Sequence, residues 1–258
     1  MLQLSNENYY SQEANAEYFS VSQVKDFMTC EAYALAKIRG EWTEEPTEPM
    51  LIGSYVDSYF EGTLDKFKEL YNDKIFNKKG ELYAPFKLAE KLIKRIEQDE
   101  LFTICLSGDK QVIMTGEIDG APFKIKMDSY IKDQAIVDLK VVKKIRDIFY
   151  KKSGRTTFIE ERKYDLQLAV YQEIVRQNTG QVLDTVIAAI DKQEIPDIDC
   201  ILIPNDQLNF QLTRLKEILP RLIAVKSGKE QPLYCGKCDY CRSIKKLERL
   251  ILPDELLC

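Results

Sequence analysis

The feature that most constrains the fold is a run of three predicted strands in the middle of the chain. Residues 111–118 and 122–131 are rich in strand-forming residues and flank Asp119-Gly120, a dipeptide typical of tight hairpin turns. A short polar turn then leads into AIVDLKVV, residues 135–142. This pattern predicts three successive antiparallel strands.

Helices are predicted on both sides of these strands. In VSQVKDFMTCEAYALAKI, apolar residues recur at helical spacing behind Ser20 and Ser22, which are good N-caps. Further predicted elements are helices at LIGSYVDSYFEG and LAEKLIKRIEQD, a helix over 158–178, strands over 185–191 and 198–203, and a helix over 206–226. This order indicates a mixed sheet flanked by helices, an α+β or α/β fold.

The composition fits one folded chain. With 258 residues, of which 45% are hydrophobic, the chain can bury a full core, and its length suits one elaborated domain or a domain with a small appendage. No apolar run reaches the ~18 residues that span a bilayer, and the N-terminus lacks the basic start and apolar core of a secretion signal. We therefore expect a soluble, cytoplasmic protein that does not engage a membrane.

The histidine and cysteine counts limit which catalytic and metal-binding groups the chain can use. The chain contains no histidine, which excludes Ser-His and Cys-His catalytic pairs and histidine metal ligands. Acid–base chemistry must then use Asp, Glu, Lys, Tyr or water. The seven cysteines, in a chain without a secretion signal, are expected to be thiols or metal ligands rather than disulfides.

Charged residues inside the apolar strand 135–142 are the first candidate site. Because side chains alternate along a strand, Asp138 and Lys140 share one face and Leu139 points into the opposite, apolar layer. The short turn allows Asp128, on the preceding strand, to converge with Asp138. Converging carboxylates repel unless a cation lies between them, and Mg²⁺ prefers such oxygen ligands. This group suits phosphodiester hydrolysis, although an exposed Asp–Lys pair on a strand would give the same pattern.

Asp128 followed by Asp138-Leu139-Lys140 resembles the motif of the PD-(D/E)XK nuclease superfamily. The α-β-β-β-α-β core of that superfamily also matches the predicted order of elements. The resemblance implies that Asp128 and Asp138 bind Mg²⁺ or Mn²⁺ together with the Leu139 carbonyl. It also implies that Lys140 assists the attacking hydroxide.

Two further segments resemble the RecB-type branch of this superfamily. Gln167 and Tyr171 lie one helical turn apart and are similar to its Gln-x-x-x-Tyr motif, whose side chains border the active site and position DNA. The segment IGSYVDSYF resembles an early helix that usually carries Gly-x-x-x-His, with Asp57 in the place of the metal-binding His. Asp can replace His as an oxygen ligand, so Asp57 is either a metal ligand or a helix-surface residue. Glu117 is a weaker candidate, expected to face solvent on its hairpin.

A cysteine cluster lies near the C-terminus, in LYCGKCDYCR. Cys235, Cys238 and Cys241 are separated by two residues each, a strong metal-binding signal. Zinc or a cubane cluster needs a fourth ligand, for which the candidates are Cys30, Cys105, Cys200 and Cys258. Some RecB-type nucleases have one cysteine ahead of the core and three after it. The resemblance to them implies that Cys30 is the fourth ligand and that the site holds a 4Fe-4S cluster, with zinc as the alternative. Of the others, the two internal cysteines are expected to be buried core thiols and the last to be free.

A basic run follows the Asp-x-Lys strand. The net charge of −5 argues against nonspecific coating of nucleic acid, but KVVKKIRDIFYKKSGR, residues 140–155, is a local positive patch. Such a run is also typical of a solvated face without a partner. The residues expected to contact DNA phosphates are Lys143, Lys144, Arg146, Lys151, Lys152 and Arg155.

The resemblance covers the chain from about Ser20 to Arg242 and implies a metal-dependent DNA exonuclease similar to the RecE-like phage and prophage recombination enzymes. Such an enzyme resects linear duplex ends for a single-strand annealing protein, and homo-oligomers occur in the group. One domain is expected over 1–258, with a helical part at 20–100, a nuclease core at 108–226 and a Cys-rich metal-binding end at 230–245. The alternatives are a CRISPR-adaptation-like iron–sulfur nuclease and a catalytically inactive, metal-stabilised DNA-binding protein.

Overall fold

Helices pack on both faces of a mixed four-stranded sheet in this structure, a computed structural model that describes residues 2–151, 154–247, 249–250 and 252–253. Its strands are β1 (Val112–Ile118), β2 (Ala121–Met127), β3 (Ser129–Ile131), β4 (Ala135–Val142), β5 (Phe149–Lys151), β6 (Gly154–Thr156), β7 (Asp184–Asp191) and β8 (Ile198–Leu202). Its helices are α1 (Gln12–Glu17), α2 (Val21–Thr29), α3 (Glu31–Ile38), α4 (Glu48–Phe60), α5 (Leu64–Leu70), α6 (Asn72–Ile75), α7 (Ala84–Glu97), α8 (Glu100–Cys105), α9 (Phe158–Glu161), α10 (Tyr164–Thr179), α11 (Asn205–Lys226) and α12 (Asp239–Ser243). Among the described residues, no helix is both long and apolar enough to cross a membrane.

The four-stranded sheet has the order β3-β4-β7-β8. Strand β4 pairs antiparallel with β3 and parallel with β7, and β8 returns antiparallel to β7. A parallel pair needs a crossover connection, and the connection between β4 and β7 contains α10. Strands β1 and β2 form a hairpin closed at Asp119-Gly120, where both residues have the positive φ of a tight turn. The mixed sheet with flanking helices confirms the predicted α+β or α/β class.

Alternation along β4 sends its side chains into two different cores. Val137 and Leu139 belong to a core shared with α4, α7 and α8. Ile136 and Val142 belong to the core on the other face, shared with α2, α10 and α11. Asp138 therefore lies on the α10 side of the sheet, opposite the apolar layer that contains Leu139.

The helix expected from Ser20 is in fact two helices. Ser20 caps α2, because its hydroxyl accepts a hydrogen bond from the backbone N–H of Gln23 (3.3 Å). Cys30, between α2 and α3, has an extended backbone with φ −164° and ψ 118°. The helical periodicity of apolar residues continues across Cys30, so the sequence pattern does not reveal the break.

Two other predicted elements are also interrupted. The strand expected over 122–131 breaks at Asp128 into β2 and β3. The helix expected over 158–178 breaks at Lys163, whose φ of 53° is left-handed, into α9 and α10. The hairpin of β5 and β6 lies within the basic run, for which the sequence predicts no element.

Candidate active site

Asp138 and Lys140 form a buried ion pair on β4. Asp138 is 1% exposed, and its Oδ2 lies 2.6 Å from Lys140 Nζ. Burial alone would lower the pKa of Lys140, but the negative charges of Asp138 and Asp128 raise it above its ordinary value. Lys140 is therefore an ammonium at neutral pH.

Asp128 meets this pair from the point where β2 ends and β3 begins. Its Oδ2 accepts a hydrogen bond from the backbone N–H of Leu139 (3.0 Å). Burial and the charge of Asp138 raise the pKa of Asp128 to about 7, against the opposing effects of Lys140 and the Leu139 N–H. The two carboxylates thus converge as their spacing predicts, and they repel one another.

Asp57 points from α4 toward the same carboxylates. Its Oδ1 is buried, and within the described part of the chain it has no hydrogen-bond partner. Burial and the charge of Asp128 raise the pKa of Asp57 well above its ordinary value. The structure therefore places Asp57 in the site and not on the outer surface of its helix.

A chain of hydrogen bonds links α10 to the carboxylates. Gln167 Nε2 donates to Asp138 Oδ1 (2.8 Å) and to the hydroxyl of Tyr171 (3.3 Å). The Tyr171 hydroxyl in turn donates to the backbone carbonyl of Lys126 on β2 (3.0 Å). Gln167 and Tyr171 thereby connect β4 to β2, the strand that immediately precedes Asp128.

The site carboxylates line one open cleft of about 700 Å³. Among the other lining residues, Tyr10, Glu61 and Lys126 are charged or aromatic groups that belong to no motif. Glu61 lies one helical turn after Asp57, and Lys126 lies two positions before Asp128 on the predicted strand. Each spacing puts the two side chains on the same side of their element, so the sequence could have placed Glu61 and Lys126 beside the site. Tyr10, distant in sequence, carries no such signal.

A second lysine lies beside Lys140. The Nζ atoms of Lys25 and Lys140 lie 5.1 and 5.2 Å from the ring centroid of Tyr164. Burial and the charge of Lys140 lower the pKa of Lys25 to about 8. Two neighbouring cations make this part of the site electrostatically favourable for a phosphate group.

The donor set fits a divalent cation. Asp57 Oδ1 and Asp138 Oδ2 are buried oxygens that, among the described residues, accept no hydrogen bond, although Lys140 Nζ lies close to the second. Bound cations relieve the repulsion between converging carboxylates, and Mg²⁺ and Mn²⁺ prefer oxygen ligands. The residues present are therefore suited to the metal site that the PD-(D/E)XK resemblance implies.

Glu117, the weaker candidate, does not line the cleft. It is exposed near the end of β1, where its backbone N–H donates to Gln177 Oε1 (2.9 Å) and its carbonyl accepts from Gln177 Nε2 (2.7 Å). It faces solvent on its hairpin, as the sequence predicts.

Apart from Lys140, the described basic residues of the run 140–155 do not line the cleft. The exposed members of the run in the described part are Lys143, Lys144, Arg146 and Arg155. Arg146 pairs with Asp199 (2.6 Å) on β8, so part of its charge is neutralised. Lys152 and the side chain of Lys151 lie outside the described residues.

Four cysteines form a second candidate metal site. The Sγ atoms of Cys30, Cys235, Cys238 and Cys241 all lie within 4.8 Å of one another. Cys241 Sγ is 3.6 Å from Cys30 Sγ and 3.9 Å from Cys235 Sγ. A tetrahedral ion with bonds of ~2.3 Å to sulfur separates its ligands by ~3.8 Å. The spacing therefore fits one tetrahedral ion.

Backbone hydrogen bonds favour the ionised, thiolate form of Cys235. The N–H groups of Lys237 and Cys238 donate to Cys235 Sγ at 3.4 and 3.3 Å, and they lower the pKa of Cys235 to about 6. Gly236, between Cys235 and these two donors, has the left-handed φ of 70° that glycine adopts most readily. The short turn thus directs two donors at one sulfur, as metal-binding cysteine loops require.

The other cysteines lie apart from this group. Cys105 and Cys200 pack in the core on the opposite face of β4, the first buried and the second half-buried. Cys258 lies outside the described residues. Of the three candidates for the fourth ligand that the structure describes, Cys30 is the one that lies with Cys235, Cys238 and Cys241.

Comparison with known proteins agrees with this geometry. Residues 20–244 match the family described as "PDDEXK-like domain of unknown function (DUF3799)". The crystal structure of a protein from Eubacterium rectale, described as a "putative exonuclease", shares 50% sequence identity with the chain and a TM-score of 0.97. The match covers 99% of this chain and 98% of that one. Comparison with curated protein sequences gave no match.

Proposed function

The chain belongs to the PDDEXK-like domain family (DUF3799), within the PD-(D/E)XK nucleases, and on this basis we propose that it is a metal-dependent deoxyribonuclease acting on the ends of linear duplex DNA. The observation that carries this proposal is the convergence of three carboxylates, Asp57, Asp128 and Asp138, with Lys140 in one cleft. An isolated Asp–Lys pair on a solvated strand would not gather carboxylates from two other elements. A degenerate site would have no reason to retain all four groups.

The three carboxylates and the Leu139 carbonyl would hold Mg²⁺ or Mn²⁺, as the superfamily resemblance implies. When bound, such an ion supplies positive charge beside a phosphate and lowers the pKa of water. Asp138 is oriented by Gln167 and Asp128 by the Leu139 N–H, so two of the ligands are fixed in position before any ion arrives.

Lys140 serves as a hydrogen-bond donor and not as a base. Its raised pKa keeps the ammonium protonated at neutral pH, and an ammonium has no lone pair to accept a proton. The ion pair with Asp138 holds the Lys140 ammonium inside the cleft. There the ammonium can orient the attacking oxygen and stabilise the negative charge that develops on the phosphate.

Action at DNA ends is supported by the Eubacterium rectale relative, which is described as a "putative exonuclease". The resemblance to RecE-like enzymes supports a place in phage-type homologous recombination. In that setting, resection of a duplex end leaves a single strand for an annealing protein.

We assign a structural metal to the four-cysteine site. The sulfur spacing favours one zinc ion over the 4Fe-4S cluster that the RecB-type resemblance implies, because a cubane spreads its four thiolates over separate irons. In either case the metal would join the junction of α2 and α3 to α12 and the segment that precedes it.

The test is digestion of linear and circular duplex DNA by wild type and Lys140→Ala, with Mg²⁺, with Mn²⁺ and with EDTA. We expect loss of linear DNA alone, abolished by EDTA and reduced at least about a hundredfold in Lys140→Ala. Lys132→Ala, which removes an exposed lysine in the turn before β4, is the matched control and should cut normally. Equal activity of Lys140→Ala and wild type would contradict the site, and absence of cleavage by wild type would favour a DNA-binding protein.

A further inference from the structure

A second cavity adjoins the carboxylate cleft. It encloses about 310 Å³, and the residues that line both spaces are Tyr10, Ser22, Lys126, Gln167 and Tyr171. Gln167 contacts Asp138 directly (2.8 Å), so the second cavity begins immediately beyond the group that orients this carboxylate. A ligand whose reacting atoms lie at Asp138 can extend past Gln167 into the second cavity.

The walls of this cavity are polar and held in place by internal bonds. Lys37 pairs with Asp26 (2.8 Å) on one side. On another side the buried Lys124 donates to Asn15 Oδ1 (2.8 Å) and to the backbone carbonyl of Tyr9. Small-molecule pockets in proteins span roughly 300–1,000 Å³, so the volume suits a ligand the size of one nucleotide.

The mouth of the cavity presents an aromatic ring beside a cation. Tyr10 is 71% exposed, and Lys126 Nζ lies 4.9 Å from its ring centroid. Among the described residues, no carboxylate lies within salt-bridge distance of Lys126. An accessible ring stacks on any base, and a neighbouring ammonium attracts the phosphate backbone.

The Tyr10 ring is also restrained. It packs edge-on against Tyr9, with 4.9 Å between the ring centroids. The Tyr10 backbone carbonyl accepts a hydrogen bond from Asn15 Nδ2 (3.2 Å), and Asn15 is itself bound to Lys124. An exposed ring on an ordered support can stack on a base with little loss of side-chain freedom.

We propose that this cavity is a subsite for the terminal nucleotide of the DNA strand being cut, with its base stacked on Tyr10 and its phosphate contacted by Lys126. The proposal deepens the proposed function and rests on it. A space for one nucleotide next to the carboxylates favours release of mononucleotides from an end.

The first test measures binding without cleavage. Wild type is titrated with deoxyadenosine monophosphate and with 2-deoxyribose 5-phosphate in the presence of Mg²⁺. We expect wild type to bind the nucleotide more tightly than the base-free sugar phosphate. Tyr10→Ala should weaken nucleotide binding about five- to hundredfold, the range that follows from one base–aromatic stack. Tyr10→Phe, which keeps the ring, should bind normally.

Tyr83→Ala is the matched control, because Tyr83 is a partly exposed tyrosine at the start of α7 that lines neither cavity. Unchanged nucleotide affinity in Tyr10→Ala would overturn the subsite. This measurement does not depend on turnover, so it decides the subsite even when wild type fails to cut DNA.

The second test uses linear duplex DNA whose terminal nucleotide lacks its base. Wild type should have a higher KM for this substrate than for intact DNA, whereas Tyr10→Ala should no longer distinguish the two. Cleavage by wild type with no such discrimination would reject the subsite and leave the nuclease activity established.

Discussion

Gln167 Nε2 donates a 2.8 Å hydrogen bond to Asp138 Oδ1, although the two residues are 29 positions apart and belong to different elements. This bond leaves Oδ2 facing Lys140 and the cleft. We therefore propose that Gln167 is a positioning residue, which would act through the orientation of Asp138.

Gln167→Leu should weaken catalysis without unfolding the protein. Loss of a hydrogen bond to a buried carboxylate costs about 1.5–3 kcal/mol, so we expect activity to fall about ten- to hundredfold and the Mg²⁺ concentration for half-maximal activity to rise. Steady-state digestion across a Mg²⁺ series measures both. Gln177→Leu, on the exposed side of the same helix, is the control. An unchanged Mg²⁺ requirement in Gln167→Leu would show that this bond does not orient a metal ligand.

Asp57 is expected to decrease the stability of the metal-free protein. Its buried oxygen without a partner and its proximity to Asp128 both disfavour the ionised form. In EDTA, Asp57→Asn should raise the Tm by several degrees, while the further rise that Mg²⁺ gives to wild type should disappear. Thermal denaturation of both proteins with and without Mg²⁺ measures these shifts. An Asp57→Asn variant that Mg²⁺ stabilises as fully as wild type would exclude Asp57 as a ligand.

Asp128 should make the stability of the metal-free protein depend on pH. Its folded pKa of about 7 exceeds the value of about 3.9 in an unfolded chain. The folded state therefore binds more protons between these values, and its free energy of unfolding falls as pH rises through this window. Melting in EDTA from about pH 4 to pH 8 should show this fall in wild type and a flatter profile in Asp128→Asn. The exposed Asp133→Asn is the control, and a profile of equal slope in Asp128→Asn would contradict the assigned shift.

The four-cysteine site should contain metal in a fixed ratio to the chain. We expect about one zinc per chain from the sulfur spacing, and a colourless protein. Brown protein with broad visible absorption would instead identify the 4Fe-4S cluster. Cys238→Ser should lose the metal and melt at a lower temperature, because the metal joins segments distant in sequence. Cys200→Ser, outside the cluster, should retain its metal, and an unchanged metal content in Cys238→Ser would contradict the site.

Much of the fold could be read from local patterns. The turn chemistry of Asp119-Gly120 and the apolar run 135–142 predict strands that the structure confirms. The breaks at Cys30, Asp128 and Lys163 could not be read in this way. The first two coincide with contacts to other segments, and the third depends on a left-handed φ that Lys seldom adopts. Cys30 adopts its extended conformation where its thiol meets the C-terminal cysteines, and Asp128 leaves the regular strand where its carboxylate meets the Leu139 N–H.

Some residues of the candidate site can likewise be predicted from local patterns, and others cannot. Asp138 and Lys140 share a strand face, and Gln167 and Tyr171 share a helix face, so their spacing alone predicts which of them point together. Tyr10 and Lys25 reach the site through the packing of the N-terminal helices, which depends on contacts across the whole chain. No local pattern could have assigned them.

The closeness of Cys30 and Cys241, which are 211 residues apart, also sets the earliest point in translation at which these two segments can meet. The ribosome releases α2, which carries Ser22 of the cleft and Lys25 beside the site, long before it releases the other three cysteines. A growing chain thus acquires the cleft carboxylates before the three cysteines that lie close to Cys30. The contact between Cys30 and the other three cysteines therefore forms only after all the cleft carboxylates have been synthesised.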